Sequence, residues 1–250
     1  MLQKAHFPPT AGTTVHVSRL AVTYNSWFEV VPADSPELLE QAYRLRYQVY
    51  CREYNYEEPG EHPNQLETDE YDNRSVHSLL VDRIHETIAG TVRLILPDPD
   101  SPQRSFPIQR ICSHALVQDR RLLLTGTAAE ISRFAVSKSF RKELRESPHL
   151  GTSRHVGESV ESRILRSAIP LGLMKATLHM SMEHGITDWF AVMEPSLLRL
   201  LSRFGIYFKP IGPLVEYHGL RQPCHANVDD LLERVRQECP DVWKYVASEY

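Results

Sequence analysis

The sequence predicts an α/β domain in which helices flank one mixed central sheet. Three observations predict it. Apolar runs of strand length, such as Trp189-Phe190-Ala191-Val192-Met193, alternate with stretches whose apolar residues recur at helical spacing. Two strand segments, 78–81 and 91–96, lie close enough to pair as a hairpin. No repeat or low-complexity linker divides the chain, and 250 residues suit one domain with a large core or an elaborated edge.

The elements follow in order. Residues 1–25 are rich in Pro, Thr and small polar residues and read as an N-terminal arm, leaving 26–250 as a single domain. Trp27-Phe28-Glu29-Val30-Val31 reads as a short strand. Ser35 then offers a helix cap, Pro36 fits the first turn, and Glu37 and Glu40 favour that end. The helix runs to about residue 53 on the stripe Leu38, Leu39, Ala42, Leu45 and Val49. Residues 54–75 are acidic and turn-rich. The hairpin turns through 86–90, and Pro97-Asp98-Pro99 breaks its second strand. A short helix is expected near 108–116, a strand at 129–136, and a polar, basic stretch at 137–166. The helix expected at 170–184 carries Leu171, Met174, Leu178 and Met182 on one face and ends at Gly185. Strand 189–193 is apolar throughout, as a buried central strand is. Glu194-Pro195-Ser196 opens a helix to about residue 204. Segments 207–215 and 220–226 read as strands, 228–237 as a helix, and the tail from 241 as a short helix.

Composition narrows the function classes. Hydrophobic residues make up 42% and charged residues 24%, as in an ordinary globular protein. No apolar run approaches the roughly 18 residues that cross a bilayer, and the N-terminus has no signal-peptide core. A cytoplasmic protein without stable membrane insertion is the expectation. The net charge of −4 argues against nucleic acid as the main ligand. The cysteines, Cys51, Cys112, Cys224 and Cys239, form no Cys-x-x-Cys pair, and the histidines form no His-Glu-x-x-His motif, so no metal is expected.

Four local patterns then occur in a telling order: Arg46-Tyr47-Gln48-Val49-Tyr50, Glu67-Thr68-Asp69-Glu70-Tyr71-Asp72, Gly90-Thr91-Val92-Arg93-Leu94 and Glu130-Ile131-Ser132-Arg133-Phe134. With the stretch 189–213, they resemble the acyl-homoserine-lactone synthases over about residues 37–215. Chain length and His218-Gly219 are similar still more to the acyltransferases associated with PEP-CTERM/exosortase systems. The resemblance implies a GNAT-type acyltransferase fold. It implies transfer of a fatty acyl group from an acyl-carrier-protein or acyl-CoA thioester to an amine, with no permanently bound cofactor. It also implies that Arg46, Asp69, Asp72, Arg93, Glu130 and Arg133 line the amine side and order the first helix. Tyr50 replaces the family's usual Phe and Tyr56 stands roughly where a Trp is expected. Both positions fall in the amine-donor pocket, which argues against S-adenosylmethionine as co-substrate.

Amide formation from a thioester needs a neutral amine and donors for the oxyanion, but no Ser or Cys nucleophile, and no Gly-x-Ser-x-Gly elbow is present. Glu130 is the first candidate for general base, because a carboxylate on a central strand is desolvated and its pKa rises. Its alternative is a structural ion pair with another arginine. Arg133, three residues on, points to the opposite face of a regular strand; a bulge would bring both to one cleft and free a backbone N–H. Ser132 and Phe134 flank it on the same strand and are assigned to substrate contact. Arg46, Asp69, Asp72, Arg93 and Arg133 either hold an amino-acid-like acceptor, carboxylates on ammonium and forks on carboxylate, or tether loops to one another. Glu67 and Glu70 read as solvated. Between 137 and 166, seven basic residues (Lys138, Arg141, Lys142, Arg145, Arg154, Arg163, Arg166) face four acidic ones. That excess suits an acidic partner, or is a solvated loop. No Gln/Arg-x-x-Gly-x-Gly/Ala loop for a pyrophosphate is present, which favours a carrier protein as acyl donor. The Met/Leu face of 170–184 either lines an acyl tunnel or is core. Three functions follow: the N-acyltransferase, a signal synthase using S-adenosylmethionine, and a non-catalytic acyl-thioester or carrier-binding module.

Overall fold

A computed structural model describes residues 19–146 and 160–248. The chain enters through α1 (Arg19–Trp27), β1 (Phe28–Pro32) and α2 (Pro36–Tyr47). Ser35 caps α2, its hydroxyl accepting from the Leu38 N–H, and Pro36 occupies the first turn. The helix then widens into a π-helical turn, Gln48–Glu53, a form found mostly at functional sites. The hairpin β2 (Ser75–Asp82) and β3 (Thr87–Ile95) follows. Two short helices, α3 (Ile108–Ile111) and α4 (Arg120–Leu124), lead to β4 (Ala128–Val136) and α5 (Lys138–Glu146). The second half runs α6 (Val160–Glu183), β5 (Asp188–Met193), α7 (Pro195–Ser202), β6 (Lys209–Pro210), β7 (Val215–Glu216) and β8 (Leu220–Asn227). It ends with α8 (Val228–Glu238) and α9 (Pro240–Val246).

Among the described residues the strands form one eight-stranded sheet in the order β1-β2-β3-β4-β5-β8-β6, with β7 on β8. All neighbours are antiparallel except β4 and β5. Strand alternation assigns the two faces. Leu80 and Trp189 join the main core with α6, α8 and α9, whereas Leu79 packs under α2 and Phe190 under the α3 region.

Three expectations change. Residues 19–25, expected in an irregular arm, are helical: Tyr24 is fully buried, and its hydroxyl donates to the Ile169 carbonyl and accepts from the Gly172 N–H. Gly172 is required there, since a Cβ would lie 2.5 Å from that hydroxyl. The helix expected from Pro170 begins at Val160 instead, with Pro170 inside it. Proline is only a bias against helix at the residue before it, and packing overrides it here. Segment 207–215 is mostly irregular, pairing only through Lys209–Pro210 and Val215–Glu216.

Candidate active site

The site forms where β4 and β5 part. Their parallel ladder runs from Ala128–Asp188 to Ile131–Ala191 and stops. Beyond it, β5 stays with β8 to Met193, while β4 follows β3. The change in β4 is a bulge. Thr91 pairs with Ala135 and Arg93 with Ser132, so Val92 alone faces both Arg133 and Phe134. Arg133 sits at φ +50°, in the left-handed region that a bulky residue adopts only under constraint. Gly90 is needed on the neighbouring strand, where a Cβ would lie 2.8 Å from the Ala135 carbonyl oxygen. The bulge expected from the spacing of Glu130 and Arg133 is therefore present.

A cleft of about 370 Å³ opens in this fork. Phe134 to Val136 form one wall, Val192 to Glu194 and α7 the other, and Tyr50, Tyr54 and Tyr56 of the first-helix end close over it. A smaller cavity of about 60 Å³ adjoins it, lined by Glu130, Pro107, Tyr217 and His218. Tyr50, Ile131, Ser132, Arg133, Val192 and Arg221 line both, so the two chambers meet at the bulge.

The charged residues divide into two groups. Arg46, fully buried, donates to Glu67 and forks onto Asp72 at 2.6 and 3.0 Å. Arg93, also fully buried, forks onto Asp69 at 2.6 and 2.9 Å, reaches Asp72 at 2.8 Å and donates to the Ser132 hydroxyl at 2.8 Å. Arg133 donates to Glu67 at 2.7 Å and to Asp69 at 3.2 Å, with its guanidinium 4.9 Å from the Tyr50 ring centre. Three arginines thus answer three carboxylates in one network. Its geometry is the tethering arrangement: it ties the end of α2 and the 67–72 loop to β3 and β4. Although burial opposes ionisation, the arginines beside them hold the Glu67, Asp69 and Asp72 carboxyls below their usual range, Asp72 at about 2. His77 lies 3.5 Å from Asp72, and burial, reinforced by Arg46, pushes its pKa down to about 3, so the ring is neutral.

Glu67 corrects the sequence reading. It was expected in solvent and is buried as the hinge between Arg46 and Arg133. The missed signal was numerical: three arginines against two counted carboxylates left one charge to be answered. Glu70 does lie at the surface, paired with Arg110 at 2.7 Å.

Glu130 stands apart. It is buried and accepts a hydrogen bond from the Ile108 backbone N–H at 2.9 Å. Among the described residues, no salt bridge to an arginine holds it. Burial pushes its pKa up to about 7, against the smaller opposing pull of that N–H, Arg93 and Arg133. Lys138 and Arg141 of the basic stretch are tied to the first-helix end, Lys138 to the Glu53 carbonyl and Arg141 to the Tyr54 hydroxyl. Arg154 lies outside the described residues. Leu171, Met174 and Leu178 are core and line neither chamber, while Met182 is exposed. Among the described residues no three His, Cys, Asp or Glu side chains come together to hold a metal ion, and no helix is long and apolar enough to cross a membrane.

Residues 45–147 match the family model of the GNAT acetyltransferase domain. No curated protein sequence matches the chain. Among solved structures, TofI, in a ternary complex with an inhibitor and MTA, is 18% identical over 86% of this chain and 99% of its own, with a TM-score of 0.55. BjaI, a CoA-dependent acyl-homoserine lactone synthase, is 20% identical over 84% of this chain and 89% of its own, with a TM-score of 0.52. FeeM, an N-acyl amino acid synthase from uncultured soil microbes, is 16% identical over 83% and 94%, with a TM-score of 0.50. The chain therefore has the GNAT fold, a mixed sheet flanked by helices, as the motif resemblance implied.

Proposed function

We propose that the protein is an N-acyltransferase that moves a fatty acyl group from a carrier-protein or coenzyme A thioester to a small amine. The observation that carries this reading is the pair of chambers meeting at the β4 bulge, with a buried near-neutral carboxyl in the smaller one. The acyl thioester lies in the fork between β4 and β5, against Phe134. The amine enters the small cavity as an ammonium ion, and Glu130 takes its proton. The amine nitrogen attacks the thioester carbonyl, the C–N bond forms, the C–S bond breaks, and the departing sulfur takes the second amine proton. On this reading, a backbone N–H freed by the β4 bulge donates to the oxyanion. Arg46, Asp69, Asp72, Arg93 and Arg133 support this geometry from behind, and Ser132 holds Arg93.

The match to the GNAT domain and the kinship in fold with an acyl-homoserine lactone synthase and an N-acyl amino acid synthase support acyl transfer. S-adenosylmethionine is the less supported acceptor, because Tyr50 and Tyr56 stand at the cleft where the resemblance expects Phe and Trp. A place beside PEP-CTERM/exosortase systems and a reducing, cytoplasmic setting belong to the same reading, the latter in keeping with the free thiols Cys51, Cys112, Cys224 and Cys239.

The test is turnover. Octanoyl-coenzyme A and octanoyl-carrier protein are offered with amino acids, alkylamines and S-adenosylmethionine, and thiol release and amide mass are followed. Wild type releases thiol with one of these amines, and Glu130→Gln falls by about 10²–10⁴-fold, the usual worth of a general base. Thioester binding without release under any amine supports the non-catalytic module instead.

A further inference from the structure

Net acyl transfer from a thioester to an ammonium ion liberates one proton per turnover. On the reading above, that proton sits on Glu130, which is buried and, among the described residues, is hydrogen-bonded to a backbone N–H. A second turnover requires it to leave. Besides Glu130, the titratable groups lining the small cavity are two tyrosines, two arginines and His218. Arginine stays charged, and burial pushes the Tyr50 and Tyr217 hydroxyls up, away from neutral pH. Of these side chains, histidine is the one that commonly serves as a proton shuttle.

The surroundings of His218 suit that task. Its Nδ1 lies 3.2 Å from the Tyr56 carbonyl oxygen. A carbonyl only accepts, so Nδ1 carries the hydrogen and Nε2 presents a lone pair. Nε2 faces Glu57 at 3.5 Å, too long for a good hydrogen bond but within ion-pair distance. Arg133 lies 3.6 Å from the same Glu57 oxygen. Both His218 and Glu57 retain about a fifth of their side-chain surface in solvent, 23% and 21%, whereas Glu130 keeps 2%. His218 holds φ +52° in the β7–β8 turn, a conformation costly outside glycine, while its neighbour Gly219 takes φ +87° freely. The Tyr217 ring packs edge-on against it at 4.6 Å.

We propose that His218 is the proton exit of the site, a relay residue that takes up the proton of Glu130 across the small cavity both line, beside Glu57, and releases it to solvent. The proton passes from the Glu130 carboxyl to the imidazole and then to water or buffer, leaving both groups in their starting forms. This inference rests on the acyl-transfer reading, and the experiment separates the two.

Wild type, His218→Gln and His218→Asn are assayed with octanoyl-coenzyme A and the same amines, in dilute buffer, in single-turnover and steady-state regimes. The expected result is a steady-state rate that falls about tenfold or more further than the single-turnover amide rate does. Added imidazole restores the steady-state rate of the variants and leaves wild type unchanged. A merely structural histidine moves both regimes together and is not rescued, and that outcome overturns the relay. Nitrogen-15 spectra of the wild-type ring give a check that needs no turnover: the Nδ1–H tautomer supports the relay, and the Nε2–H tautomer overturns it. Wild type that releases no thiol with any amine overturns acyl transfer itself, and the relay with it.

Discussion

Two groups of buried charge lie on the same strand, only a few residues apart, and the protein treats them in opposite ways. Around Arg133, three arginines and three carboxylates close on one another, and the carboxyls are held ionised, Asp72 at about 2. At Glu130 one carboxyl is buried with a single backbone N–H, and its pKa climbs to about 7. Burial is common to both, so burial alone does not mark a reactive group. What separates them is whether the charge is answered. An answered charge holds the fold, and an unanswered one is available for proton transfer.

The largest effect should come from leaving a charge unanswered where the network answers it. Arg46→Met leaves the network's three carboxylates to two arginines, Glu67 keeping Arg133 and Asp72 keeping Arg93. Removing one partner of a buried pair costs about 3–5 kcal/mol, which in a chain of this size lowers Tm by roughly 10 °C. Glu130→Gln removes a carboxyl that gains nothing from ionising, and its Tm should stay near that of wild type or rise. Thermal denaturation of both variants at pH 7.5 checks the contrast. If Arg46→Met melts with wild type, the network is not what pins the first helix.

The second effect is in pH, and the two regions have opposite signs. The Glu130 carboxyl is raised from its ordinary 4.5 to about 7, so the folded state holds its proton more tightly than the unfolded state. Its contribution is full below about pH 4.5 and is lost as pH rises through 7, by up to about 3 kcal/mol on the ordinary scale of such shifts. Activity should run the other way, rising through the same window as the base form appears. Asp72 is depressed, so its contribution is present above about pH 4 and is lost as pH falls toward 2. Wild-type unfolding should therefore show loss at the acid end, and a second decline from pH 5 to 8 that is absent in Glu130→Gln. A wild type whose stability is flat from pH 5 to 8 would contradict the unanswered state of Glu130.

The strands and most helices were legible because period and punctuation are local properties. Ser35-Pro36 opened α2 as expected, and Trp189 to Met193 formed the buried central strand. The bulge was legible too, since a separation of three positions between two groups meant for one cleft is the wrong parity for a flat strand. Glu67 was not legible, because its partner Arg46 is 21 residues away and only the folded loop brings them together. The helical start of residues 19–25 was hidden for a related reason. Polar neighbours mask Tyr24, whose burial depends on Gly172 in a helix 148 residues on. His218 stood out only as half of a His-Gly pair, and its meaning needed the Glu57 carboxylate opposite it.

The smallest expected effect sharpens the comparison most cheaply. Arg110 meets Glu70 at 2.7 Å, the same distance at which Arg133 meets Glu67. The first pair is 60% and 63% exposed, the second 9% and 1%. Water already solvates both ions of the surface pair, and holding two long side chains together costs entropy, so its net worth is about 0–1 kcal/mol. Glu70→Gln should thus shift Tm by no more than about 2 °C. Glu67→Gln, at equal bond length, should cost several times as much, because two buried guanidinium groups lose a charge they cannot replace with water. Parallel melts in 0.05 and 0.5 M salt add a second axis: screening should erode the Glu70 effect and leave that of Glu67 nearly intact. Equal losses for the two variants would mean that distance, and not desolvation, sets the strength of these pairs, and the division of β4 into a structural and a reactive half would lose its physical basis.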